Sequence, residues 1–137
     1  MPSIFEATAG EKIGIAVPFN KVTQGAGNTS PAKTDPVTVN GLSGTIVTAN
    51  NTMSAKERNK FVVTNSNVKR GDIVIVNHSE NDPSSSTYNH NSDYVVQACA
   101  IKDGSFIIQI THVEQEDTSG NDTLFINFSI LKAVTHS

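Results

Sequence analysis

The closing apolar stretch, residues 123–133 (TLFINFSILKA), constrains this chain most. Leu124, Ile126, Phe128 and Ile130 fall on one side of an extended backbone, and Phe125, Asn127, Ser129 and Leu131 on the other. That period of two belongs to a strand with one face in a core. Residues 105–113 (SFIIQITHV) repeat it, with Phe106, Ile108 and Ile110 on one side and Ile107, Gln109 and Thr111 on the other. Further apolar runs of strand length lie at 43–49, 60–64, 72–77 and 93–101, separated by polar breaks containing Gly or Asn. Strands at this spacing belong to a sandwich or barrel.

Composition points the same way. Val and Ile together number 26 against three Leu, and β-branched side chains lose χ1 freedom on a helix but pack well on a pleated surface. A helical bundle is therefore not expected. The length, 137 residues, fits one domain whose core buries roughly 70% of the unfolded surface. We expect an all-β fold: an antiparallel β-sandwich, immunoglobulin-like or jelly-roll-like, over residues 43–137. Between the strands at 93–101 and 105–113, Lys102-Asp103-Gly104 predicts a two-residue type I′ hairpin, because Asp-Gly tolerates the positive φ angles such a turn requires.

Residues 1–42 read as an N-terminal extension. Ile13, Ile15, Val17 and Phe19 alternate as one strand, whereas residues 22–36 (VTQGAGNTSPAKTDP) have the composition of an extended connection. Such an arm can fold back on its own sheet or cross to a neighbour and enlarge the buried area; we expect its first strand to pack on its own sheet and the rest to make contacts. Ile4, Phe5, Ile13, Ile15, Val17 and Phe19 are its expected partner-binding residues. The stretch 77–93 (NHSENDPSSSTYNHNSD) has no alternation and is expected to be a long exposed loop.

The net charge is −3 and only two of the cations are Arg, so nucleic-acid binding is not expected. The first ten residues lack the apolar run of a secretory signal, nothing is long enough to span a membrane, and the single cysteine permits no intramolecular disulfide. Synthesis in a cytosol is the expectation that follows.

Several short patterns could carry chemistry. Arg70-Gly71-Asp72 spells an adhesive tripeptide, yet Gly71 at a turn with Asp72 opening an apolar run is ordinary strand-entry chemistry, which we prefer. His78 and His90 bracket the polar loop with Glu80, Asp82 and Asp93 nearby, but their spacing matches no known metal-ligand pattern. His112 reads as a strand residue and His136 as a tail residue. Ser, His and Asp occur without a Gly-x-Ser-x-Gly elbow, and Cys99 sits in a strand, where thiols are usually inert. No catalytic residue, cofactor or metal is expected. Sequons at Asn28, Asn50, Asn77, Asn121 and Asn127 follow from a composition with 14 each of Asn, Ser and Thr. Tyr88, Asn89, His90 and Asn91 could contact sugar, since Asn and aromatic side chains serve hydroxyls and ring faces; a plain soluble loop is the preferred reading.

Six fragments, taken together and in order, carry a resemblance: Ser43-Gly44-Thr45-Ile46, Phe61 to Val68 (FVVTNSNV), Asp72 to Val76 (DIVIV), Tyr94 to Ala98 (YVVQA), Gly104-Ser105-Phe106, and Ile126 to Ala133 (INFSILKA). Residues 43–134 thereby resemble an all-β virion module of tailed bacteriophages, of the kind found in phages of marine bacteria and cyanobacteria. That module occurs at the ends of tail-fibre-like proteins and in small virion proteins. The resemblance implies a non-enzymatic structural protein of the outer virion surface and identifies no catalytic residue. Because the chain has no stalk to carry it away from the particle, its own surface must dock it. A head decoration or cement protein seated on the major capsid protein and on sister subunits, as a homo-oligomer with a trimer favoured, is therefore expected. The alternative is a tail-fibre or receptor-binding accessory that recognises host glycan through Tyr88 to Asn91.

Overall fold

The computed structural model describes residues 19–79, 94–113 and 123–133. Within them lie β1 (Phe19–Thr23), β2 (Val37–Thr38), β3 (Ser43–Val47), β4 (Arg58–Thr64), β5 (Ile73–Ser79), β6 (Tyr94–Lys102), β7 (Ser105–His112) and β8 (Phe125–Leu131). All six strands expected after residue 42 are present, with ends displaced by two residues or fewer. The period-two pattern explains why they form. Phe106, Ile108 and Ile110 of β7 and Ile126, Phe128 and Ile130 of β8 are buried, while the residues between them are partly or fully exposed.

Two four-stranded sheets form, in the orders β1-β3-β8-β5 and β2-β4-β7-β6, and they pack as a β-sandwich. The core takes Ile46, Ile126, Phe128 and Ile130 from the first sheet and Phe61, Val63, Phe106, Ile108 and Ile110 from the second. Met53, Val68 and Leu124 close it from the connections. The Phe106 and Phe128 rings meet between the sheets at 5.9 Å, tilted by 58°, a favourable edge-on geometry for aromatic quadrupoles.

Three features differ from the sequence expectations. The sheets are mixed rather than antiparallel throughout: β1 runs parallel to β3, and β2 parallel to β4. From β1 to β4 the chain changes sheet at every connection, so each strand returns beside its predecessor in the same direction, as parallel pairing requires. Residues 19–42 do not stand apart from the sandwich. They supply an edge strand to each sheet and bury Val37 and Val39 in the core.

The third difference is the β6–β7 turn. It has two residues, with Lys102 opposite Ser105, but only Gly104 has positive φ, at 85°, while Asp103 does not. That is not a type I′ turn. A bulge between Cys99 and Lys102, where Ala100 sits at φ 52°, precedes the turn, and bulges increase local strand twist.

Candidate functional site

Four of the motif fragments quoted above, those containing Asn65, Asp72, Gly104 and Lys132, meet at one end of the sandwich, where β4 and β8 end and β5 and β7 begin; Tyr94 to Ala98 lies towards the opposite end. Asn65, fully buried just after β4, is the centre. Its Nδ2 donates to the carbonyls of Val39 and Gly41, both at 2.8 Å, and its Oδ1 accepts from the Asn67 amide at 2.8 Å. Its own amide donates to Gly104 O at 2.9 Å, and the Gly104 amide donates to Val68 O at 3.0 Å. One residue thus ties β2's exit and the β4–β5 turn through its side chain and the β6–β7 hairpin through its backbone amide. Asn40 and Asn67 extend the web, with Asn40 Oδ1 accepting from the Ser66 amide and Asn67 Oδ1 from the Gly41 amide.

Asp72 completes the same end. Its Oδ1 accepts from the Ala133 amide at 2.9 Å, and its Oδ2 accepts from the Lys69 amide at 2.8 Å and from Lys132 Nζ at 2.5 Å. Lys132 Nζ also donates to Asn67 O at 2.6 Å. The Ala133 amide above all, then Lys132, holds the Asp72 carboxyl down at about 2, because each stabilises the anion. Both oxygens are engaged and the side chain is only 2% exposed. Asp72 therefore clamps the end of β8 to the start of β5, and Arg70-Gly71-Asp72 is a strand-entry turn whose carboxylate faces inward. Gly71 has φ 94°, a conformation that favours glycine.

A second polar cluster lies where residues 24–36 fold against β1 and β3. Gln24, 1% exposed, accepts from the Ala49 amide at 3.0 Å and donates to Asp35 O at 2.8 Å. Asp35 Oδ2 accepts from Asn28 Nδ2 and the Ala32 amide, both at 3.1 Å. Lys33 is completely buried, and its Nζ donates to Asn51 O at 2.5 Å. The stretch that reads as an extended connection is thus a folded block. A surface groove of about 330 Å³ beside it is bordered by Gly25, Pro31, Ala49 and Asn50, and its lining carries no charged side chain. A third cluster seats His112, 1% exposed, whose Nδ1–H donates to Ser54 O at 3.0 Å, since a carbonyl can only accept. Its ring lies 5.2 Å from that of Tyr94.

Of the residues singled out from sequence, Phe19 opens β1 opposite Ser43, while Ile4, Phe5, Ile13, Ile15 and Val17 lie outside the described residues. So do Tyr88, Asn89, His90 and Asn91, along with Glu80, Asp82, Asp93 and His136. His78 is half-buried on β5 opposite Ile126, and Cys99 is half-buried on β6. Among the described residues no group of three or more His, Cys, Asp or Glu is placed to hold a metal ion, and no helix is long and apolar enough to cross a membrane. Sequence reasoning did not single out Asn65, Gln24 or Lys33. The Asn-Ser-Asn run at 65–67 is a turn signal that could have marked the first; a buried lysine in a polar loop has no such signal. Compared with protein-family models, curated proteins and solved structures, the chain matches none.

Proposed function

We propose that this protein is a non-enzymatic structural component of a tailed-phage virion, a decoration or cement protein docked on the outside of the head. One observation carries the reading. Four of the six fragments that resemble the phage module supply residues that tie its strands together at one end of the sandwich: Asn65 with Gly104, and Asp72 with Lys132 and Ala133, the two groups joined through Asn67. That the resembling fragments include these connecting residues, and not only strand interiors, supports assigning the virion role that the resemblance implies. In this reading Ile4, Phe5, Ile13, Ile15 and Val17 contact the capsid protein or a sister subunit, and residues 80–93 lie on the exposed side.

Gold labelling of intact particles with antibody against the chain, viewed by electron microscopy, tests the assignment. Label spread over the head is the expected result. Label confined to the tail or its fibres would replace decoration by host recognition and direct mutagenesis to Tyr88, Asn89, His90 and Asn91; particles without label would overturn both.

A further inference from the structure

We infer that β5 is a self-pairing edge, through which two copies of this chain join their sheets about a twofold axis at Ile75. This goes beyond the virion assignment and does not depend on it.

The four sheet edges are unequally protected. β1 carries exposed Lys21, β2 has only two residues, and β6 is broken by the bulge at Ala100 and ends in Lys102. Charges, short length and bulges all discourage edge-to-edge pairing. β5 has none of these devices. It runs seven residues (IVIVNHS) in unbroken register with β8, without proline and without Asp, Glu, Lys or Arg. Among the described residues no strand lies beyond it. Its outer face is apolar and exposed over the first half of the strand, before exposed Asn77: Ile73 is 60% exposed, Ile75 52%, and Leu131, opposite Ile73 on β8, 47%.

The hydrogen-bond phase of β8 fixes which backbone groups face that edge. The Ile130 amide donates to Leu42 O, and Leu124 exchanges bonds with Thr48, so even-numbered residues of β8 bond towards β3. Odd-numbered ones bond towards β5, to Ile73, Ile75 and Asn77. In an antiparallel ladder the amides and carbonyls of Val74 and Val76 must then point outward.

A second copy of β5 satisfies this edge. A twofold axis at Ile75 sets Val74 opposite Val76 of the other copy and Val76 opposite Val74, which closes four backbone hydrogen bonds. Ile75 meets its counterpart in the closely spaced, non-hydrogen-bonded position. An edge that bears no charge has nothing to repel in its own copy, although the whole chain carries −3. Centring the axis on Val76 would pair more residues but set Ile75 against Asn77 and Val74 against His78, whereas the axis at Ile75 keeps Val74, Ile75 and Val76 against apolar partners and sets only Ile73 against Asn77; centring it on Val74 would shorten the paired length. Isologous pairing of this kind closes at two copies. The interface is at the small end of stable contacts, so the dimer depends on concentration.

Cross-linking of the full chain tests the register. In a Cys99→Ser background, Ile75→Cys places the two Cα atoms about 4.5 Å apart, within reach of a disulfide. Asn77→Cys leaves its pair roughly 14 Å apart, out of reach. Mild oxidation should cross-link the first variant and not the second, and equal cross-linking of both would overturn the register. In sedimentation the unmodified chain should be dimeric at about 100 µM, the range of a small interface. Ile75→Lys should be a folded monomer by circular dichroism, while Val62→Lys, on the other sheet, should remain dimeric. A monomeric or trimeric unmodified chain, or a dimeric Ile75→Lys, would overturn the proposal.

Discussion

At residue 65 one carboxamide closes three hydrogen bonds to backbone from a fully buried position. Asn65→Ala would strand the buried Val39 carbonyl and unpair the part-buried Gly41 carbonyl and Asn67 amide, at a cost of about 1–3 kcal/mol. The denaturation midpoint should fall accordingly, and Asn65→Asp should be no better, because it points a carboxylate oxygen at two carbonyls. Asp72 makes a pH-dependent contribution. Its folded pKa, about 2, lies below the ordinary 3.8, so the stabilisation is complete above the unfolded value and disappears as pH falls through the folded one. The stability difference between the wild-type chain and Asp72→Asn should be full at neutral pH, shrink below pH 4 and vanish below pH 2, as measured by denaturant titration. Gly44 matters for space. A Cβ there would stand 2.6 Å from Asn20 O and 3.0 Å from the Phe128 ring, so Gly44→Ala should cost about 1–3 kcal/mol through overpacking and loosen β1 from β3.

Among the elements, those whose identity is carried by their own side chains were readable in advance. β7 and β8 alternate so regularly that Leu124, Ile126, Phe128, Phe106, Ile108 and Ile110 could be assigned to the core from spacing alone. β1 and β2 could not be placed, because each is a parallel edge whose partner lies some twenty residues away and beyond a strand of the other sheet. The β6–β7 hairpin was readable in length and pairing, but its conformation was not. Asp-Gly is compatible with several turn types, and the bulge and register shift around Ala100 that accompany this one have no signal in the turn residues themselves. That bulge makes its own prediction. Ala100 holds φ 52°, a left-handed conformation costing an L-residue roughly 1 kcal/mol, so Ala100→Gly should be neutral or raise stability by up to about 1 kcal/mol, against the usual penalty for glycine in a strand.

For the molecule as a whole, the coiling of β1 to β4 between the sheets determines what can be removed. A chain lacking residues 1–18 keeps every described strand and should melt at nearly the wild-type temperature; attachment to particles should be lost if those residues dock it. A chain lacking residues 1–36 forfeits β1, Gln24 and Lys33, exposes the edge of β3 and should unfold at markedly lower denaturant. Circular dichroism separates the two, and binding to undecorated particles reads the docking role. The sequence by itself determined that this chain builds a β-sandwich and which side chains of residues 105–113 and 123–133 help fill it, because period-two alternation and β-branched composition act through neighbouring residues on one strand. Tertiary structure alone decided that residues 19–42 complete both sheets, that Asn65 and Asp72 lock one end, and that β5 is an edge among the described strands. Each of those depends on pairing between segments far apart in the chain, which no local pattern encodes.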